Sequence, residues 1–486
     1  MRPTVEFLGT ELVERIVAEA RTVLKELGVE IHNPGILSML SDHGAAVDGE
    51  KRRACFPDDV IDRALQTAPP GFRLYDVEGR QTHDLSGKNV HFAPGSAAIH
   101  ILDHGTDTVR KPTAADYVNY VKLVAQLPYI ASQSTAMVPG DVHPNVSDSY
   151  RLFLSLVFGT KPVVTGAFTI EGFTIMKDLL AAVRGGTRAL AERPLAVFSC
   201  CPTAPLKWSD VTSQNVVDCA EHSIPVEYVS MPLAGFVAPV TLVGTLVQHT
   251  AETLSGVVIS QLTNPGTPAL YGGSPAIFDV RYETTPMGAV ETMMIDCAYN
   301  EIGTYLGLPT QAYMALSDNK LVDAQGGLES SMGATLAALS GINNISGPGM
   351  LDFESCFSLE KLVLDHEICG MALRLVRGIE PKEDFPALPH FQELLREDHL
   401  LISEHTRRYL REEHHFSGPV IDRANRSRWE EEGRTTLAQR AHSEVERLLG
   451  QAEPSPLADD VKAELTRLMT AEAVRHGMDG LPLTAQ

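Results

Sequence analysis

The stretch Tyr271-Gly272-Gly273-Ser274-Pro275-Ala276-Ile277-Phe278-Asp279-Val280-Arg281-Tyr282-Glu283 sets one guanidinium within a few residues of three aromatic rings. The fork of an arginine can clamp a carboxylate through two parallel hydrogen bonds. The faces of Tyr271, Phe278 and Tyr282 can wall a cation. The same residues allow a plainer arrangement, in which Arg281 tethers its own loop through Asp279 or Glu283, and the sequence leaves both open. A second group is Ser317-Asp318-Asn319-Lys320, followed by Gln325, Gly326 and Glu329. Its hydroxyl and carboxylate can hold charge at the end of a strand, whereas Glu329 can equally serve the helix that starts beside it. A third, Ser346-Gly347-Pro348-Gly349, is nearly free of side chains and suits either the close approach of a large flat group or a tight turn.

Cys200-Cys201, with Cys219 and His222 farther on, hold atoms that zinc favours. Adjacent strand residues point to opposite faces, so both cysteines cannot easily serve one tetrahedral site. No CxxC or HExxH accompanies them, and buried free thiols are the expectation. His249, Glu252 and Glu291 lie on apolar helical stretches and read as core or supporting groups. Ser199 lacks the GxSxG context of a serine hydrolase.

These groups need elements that bring strand ends together. Apolar strand candidates fall at 91–97, 129–135, 162–167, 195–200, 225–230, 269–273, 310–316 and 342–345. Helical patterns separate them at 114–127, 148–158, 171–183, 210–222, 240–262, 288–306, 327–339 and 359–376. Eight alternations in about 290 residues predict an α/β fold, a closed TIM (β/α)8 barrel, whose active face is formed by loops after the strands. No GxGxxG follows the first strand, which weakens a dinucleotide-binding sheet. Residues 1–90 read as a cap of helices (10–27, then helices starting at Asn33-Pro34 and Pro57-Asp58) and hairpins over 72–103. Residues 91–380 form the barrel, and 381–486 a helical extension with segments at 391–411, 437–449 and 459–473.

The chain has 486 residues, 44% hydrophobic and 21% charged, with a formal net charge of -22. That acidity argues against nucleic acid or an anionic membrane as a partner. No run reaches the length of a membrane span, and Glu6, Glu11 and Glu14 stand where a secretory leader needs an apolar core. Seven unpatterned cysteines fit a reducing cytoplasm.

The run GLPTQAYMALSDNKLVDAQGGLESSMGATLAALSGINNISGPGMLD, with SLEKLVLDHEI, RPLAVFSCCPTAPLKWSD, LYGGSPAIFDVRYETTPMGAVE and EHTRRYLREEHHFSGPVIDR, resembles the trimethylamine methyltransferase family over nearly the whole chain. The resemblance implies a TIM barrel and transfer of a methyl group from a methylated amine to the cobalt of a separate corrinoid (cobalamin) protein. Family members that use trimethylamine carry pyrrolysine, and this sequence contains only the twenty standard residues, so it resembles the glycine betaine methyltransferases more closely. A quaternary nitrogen leaves as a neutral amine without prior protonation, which fits a site lacking that added electrophile. On this reading Arg281 holds a substrate carboxylate, while Tyr271, Phe278, Tyr282 or Tyr313 and one carboxylate, Asp318 or Glu283, surround the ammonium. Thr165 and Ser317 line the pocket, and Ser346, Gly347 and Gly349 form the rim against which the corrinoid docks. No tightly bound metal is expected, and a homo-oligomer is. The alternatives are a zinc-dependent thiol or alcohol methyltransferase using Cys200 or Cys201, and a non-catalytic binder of quaternary amines.

Overall fold

Short, apolar, parallel strands buried on both faces can be stable only when helices cover them. The computed structural model, which describes residues 2–484, builds eight such units. The strands are β1 (His91–Ala93), β2 (Gln133–Ser134), β3 (Val163–Thr165), β4 (Ala196–Cys200), β5 (Val226–Ser230), β6 (Ala269–Gly273), β7 (Gln311–Tyr313) and β8 (Asn344–Ser346). Each is followed by its helix: α1 (Ala114–Ala125), α2 (Ser147–Phe158), α3 (Ile170–Arg184), α4 (Asp210–Glu221), α5 (Leu242–Thr263), α6 (Val290–Tyr305), α7 (Ala324–Ser340) and α8 (Leu359–Val376).

Pairing is parallel throughout. β2 through β6 form one run and β7, β8 and β1 another. Tyr271 N–H donates to Pro309 O at 2.8 Å, and Ala131 N–H to Phe92 O at 2.7 Å, which joins the two runs into a closed barrel. Residues in register share a face. His91, Asn344 and Gln311 form one inward row, and Ala93, Ser346 and Tyr313 the next. Phe198, Tyr228 and Tyr271 point outward and are fully buried against the helices. The helices start on the side where the strands end, most of them capped by a side chain: Thr113, Thr169, Ser209, Thr241, Asp323 and Ser358 each accept a backbone N–H. A cap of this kind stabilises its helix by about 1 kcal/mol.

The first ninety residues pack along the side of the barrel, against the loop after β4 on the mouth side, and across the far end. The N-terminal helices Thr10–Glu26 and Asp58–Thr67 pack on the outside of α5, and the strand Val29–Ile31 pairs with Lys207–Trp208. The hairpin Gly71–Tyr75 with Gln81–Ser86 closes the opposite end, placing Leu74 and Leu85 against Val197 and Leu270. Beyond α8 the segment expected as one helix over 391–411 is two, Leu388–Glu397 and Glu404–Glu413. Asp398 turns left-handed (φ 58°) and Ser403 caps the second. Leu437–Gly450 and Asp459–Arg475 return to pack on α8 and α3. Among the described residues no helix is long and apolar enough to cross a membrane.

Candidate active site

An acid in the middle of an apolar strand marks the barrel's interior. Glu227 lies on β5 in register with Ser199 of β4 and Leu270 of β6, and is completely buried. Its Oε1 accepts the Ser199 hydroxyl at 2.6 Å, and its Oε2 faces the Asn344 amide across the lumen at 3.3 Å. Burial lifts the carboxyl from its ordinary range to about 7, against the pull of those two donors.

A second acid arrives from the loop after β8. Asp352, Phe353 and Glu354 all adopt left-handed backbone (φ 50°, 54° and 66°), at a cost of about 1–2 kcal/mol per residue. Three such non-glycine residues in succession persist only because their surroundings hold them. Asp352 N–H donates to Asn319 O at 2.8 Å, and the Lys320 ammonium stands 3.4 Å from the Asp352 carboxylate and 4.0 Å from the centre of the Phe353 ring. The turn delivers Glu354 with its Oε1 sealed from solvent and, among the described residues, unpartnered. Burial, and then the charge of Asp318, push its carboxyl up to about 8.

The register turns Glu227 into the barrel, and Glu354 lies close enough to it that the two share titratable neighbours. Tyr313 is held well above its usual pKa by burial and then by these two carboxyls, and its hydroxyl meets Ser96 Oγ at 3.1 Å. Cys201 is pushed up to about 12 by burial, Cys200, Glu227 and Glu354. Asp296 of α6, buried and with neither oxygen partnered among the described residues, is raised by burial and then by Glu354. Ser346 Oγ and Gln311 Nε2 are likewise buried without partners. None of these side chains is basic. The arrangement offers several acids poised close to neutrality, one phenol and unfilled polar atoms, and a cation entering it would relieve the mutual repulsion.

The residues singled out in the sequence divide. Tyr313 and Ser346 are in the lumen. Asp318 borders it, raised to about 6 chiefly by burial, with its oxygens taking the Met287 and Gly288 N–H groups at 2.9 and 2.8 Å. Ser317 and Glu329 tie the same loop together: Glu329 accepts the Ser317 hydroxyl at 2.6 Å and Asp318 N–H at 2.9 Å.

Arg281 is outside. Its side chain is 77% exposed and grips Asp279 through two nitrogens at 2.5 and 3.0 Å, so the loop tether is what the residues form. Tyr282 and Glu283 are exposed beside it, and Phe278 stacks on Phe236 with centroids 4.8 Å apart. Tyr271 faces outward and donates to Thr250 of α5 at 2.9 Å. Thr165, in register with the outward Phe198, faces outward too. At Gly347 a Cβ would lie 2.0 Å from Met314 O, so the crossing of the chain itself demands that glycine. At Gly349 a Cβ would meet the Phe357 ring at 2.5 Å.

Strand alternation separates the cysteines as expected, with Cys200 outward beside Cys219 and Cys201 toward the lumen. All seven cysteines are free thiols. His249 and Glu252 are buried supporting groups, whereas Glu291 is exposed on the first turn of α6. Elsewhere His104, Glu360 and His442 bring ligand atoms within 4.8 Å of one another. The two imidazoles are stacked at 3.9 Å and 11°, which aims their in-plane lone pairs side by side and not at a common point.

The groups of the lumen lie beneath the loops that follow the strands, the end of a closed parallel barrel where active sites are built. The family model described as trimethylamine methyltransferase (MTTB) matches residues 1–474. The trimethylamine methyltransferase MttB of Desulfitobacterium hafniense (strain DSM 10664 / DCB-2) is 30% identical over 456 residues, 94% of this chain and 92% of that one. The glycine betaine methyltransferase of D. hafniense (strain Y51) is 30% identical over 468 residues, covering 95% and 96%. Among solved structures, the Methanosarcina barkeri monomethylamine methyltransferase MtmB superposes with a TM-score of 0.54 at 12% identity, covering 93% of this chain and 89% of that one, a likeness of fold. The chain belongs to the trimethylamine methyltransferase family, and its fold is the TIM barrel.

Proposed function

We propose that the chain takes a methyl group from a quaternary amine, glycine betaine or a related betaine, and passes it to the cobalt of a separate corrinoid protein at the barrel mouth. The observation that carries the reading is the acidic lumen built from Glu227 and Glu354 around Tyr313 and Cys201. The similarity to a glycine betaine methyltransferase supports the substrate class, and family membership supports the corrinoid partner. That partner supplies the nucleophile, so this chain needs only to bind, orient and keep water out.

Each step follows from the residues. Glu227 and Glu354 are raised to about 7 and about 8, so near neutral pH they ionise as a cation enters and lowers their pKa. The Tyr313 ring offers its face to the N-methyl groups. The C–N bond breaks with its electron pair remaining on nitrogen, which leaves a neutral tertiary amine and calls for no proton donor. As the cationic charge departs, the two carboxyls regain their raised pKa and take up protons. The charge that held the substrate is thereby weakened for the product.

With Arg281 outside, a basic group that borders this set is Lys320, whose Nζ donates to Asp318 O at 2.7 Å and whose charge acts on the Asp318 carboxyl. A betaine carboxylate pointing outward would meet it there. The carboxyls of the lumen also favour a second reading, a methylated ammonium without a carboxylate. Calorimetric titration with glycine betaine and tetramethylammonium, on the parent and on Lys320→Ala, separates the two. The betaine reading expects the substitution to weaken betaine alone, and equal affinities in both proteins contradict it.

A further inference from the structure

Helices Leu388–Glu397 and Glu404–Glu413 contain no buried residue, although both are strongly amphipathic. In the first, Leu388, Phe391 and Leu395 recur at helical spacing and form one stripe. Ile379, Phe385 and Leu401, in the segments that flank this helix, are exposed as well. These six side chains range from 58% exposed at Phe391 to 90% at Ile379. Arg374, which pairs with Glu413 and donates to its carbonyl at 3.0 Å, and Arg377, which donates to Glu412 O at 3.2 Å, hold the hairpin to the end of α8, while the ion pairs Lys382–Glu412 and Arg408–Glu383 tie the hairpin to itself. Pairs open to solvent contribute about 0–1 kcal/mol each, and ten-residue helices are marginal in water unless their apolar face is covered.

The uncovered apolar area is on the order of 1,000 Å², at roughly 150–250 Å² per large side chain. The largest such patch on an ordinary monomer is about 300–600 Å², and a stable protein interface takes about 800 Å² from each partner. The patch is therefore of dimer size. Its position decides the occupant. The hairpin leaves the C-terminal end of α8, on the side where the strands begin, remote from the loops around Glu354. A methyl-accepting partner must reach those loops, so it does not cover the hairpin; this one step rests on the proposed function. Charges of both signs, Arg396, Arg407 and Arg411 among Glu393, Glu397 and Glu404, border the stripe. A basic-only surface would suit a nucleic acid or an anionic membrane. A mixed one is complementary to itself under two-fold symmetry.

We propose that the hairpin over 379–413 is the surface through which two copies of this chain pair, stripe against stripe. Sedimentation velocity from 0.1 to 50 µM tests it through mass, independently of methyl transfer. The parent is expected to form a dimer, or a larger assembly of dimers, and Phe391→Glu/Leu395→Glu to halve the particle mass with unchanged far-UV circular dichroism. A parent that is monomeric at 50 µM overturns the proposal, as does a double variant of unchanged mass. So does a parent that floats with anionic phosphatidylserine vesicles through this stripe. If the double variant does not fold, Leu395→Cys carries the test. Its thiol should be blocked from a bulky maleimide at 50 µM and labelled at least tenfold faster on dilution to 0.1 µM, and equal rates at both concentrations overturn the pairing.

Discussion

Glu227 holds its proton in the folded state far more tightly than an open chain does, since burial raises its pKa from the ordinary 4.5 to about 7. The sign follows from linkage: the stability this group contributes is fully present below pH 4.5 and is lost as pH rises through 7. The parent should fall behind Glu227→Gln by about 2–3 kcal/mol between pH 4.5 and 8, measured by urea unfolding at several pH values. The same substitution should weaken quaternary ammonium binding by about ten- to a hundredfold, read by calorimetry at pH 8, because it removes a charge that only the cation compensates. Arg281→Ala should leave kcat/KM for glycine betaine within about twofold, since the guanidinium serves Asp279 at the surface. A tenfold loss would return Arg281 to the site. The sequence carried both possibilities for that arginine, and spacing could not choose, because an aspartate two residues away reaches it as easily as a ligand does. Glu227 was legible in principle: Pro225-Val226-Glu227-Tyr228-Val229-Ser230 is an apolar strand with one acid in it. Period-two alternation says that one face of such a strand needs a reason for its charge. Glu354 carried no comparable signal, since its placement depends on three left-handed residues of ordinary type.

Elements were the more readable level. The alternation of apolar runs and helical stretches located the eight strands and their helices, because each strand is buried on both faces and each helix ends at a turn. The strands themselves are shorter than the apolar runs. In the 310–316 run only Gln311–Tyr313 pairs, since Ala315 turns left-handed (φ 64°) and redirects the chain into the loop that holds Asp318. The glycines after β8 were read as room for a flat partner or as a turn. Their role is the close crossing of β7 and β8, with no space for a side chain between Gly347 and Met314 O. Gly347→Ala should therefore cost on the order of 2–4 kcal/mol in chemical denaturation. Gly49→Ala, with nothing within 4 Å of its Cβ, is the matched control and should be near neutral. Comparable losses at the two positions would contradict this account of the crossing.

At the scale of the whole molecule, the barrel sets the acidic lumen at one end and the uncovered helical hairpin at the other. Acidity in composition foretold neither, because net charge describes solubility and steering and not the sign of one cavity. The tail's helical texture was legible, but the break at Asp398 and the face left bare were not, since both depend on what the helices fail to touch. The thiols belong to this scale too. Cys200 lies outward beside Cys219 while Cys201 lies toward the lumen, so the adjacent pair does not converge on one tetrahedral site. Dialysis against a chelator should leave methyl transfer unchanged, and its loss with recovery on added zinc would favour the zinc-dependent alternative. The central claim is met most directly by mixing the protein with reduced cobalamin, or with a purified corrinoid protein, and a panel of methylated amines while following the cobalt spectrum. With glycine betaine or a related betaine, the account predicts conversion of the reduced cobalt spectrum to the methylated form. One tertiary amine, with one methyl fewer than the substrate, should appear per methyl moved, and the rate should collapse in Glu227→Gln. Tight binding of the same amines with no change in the cobalt spectrum, from any member of the panel, would contradict it.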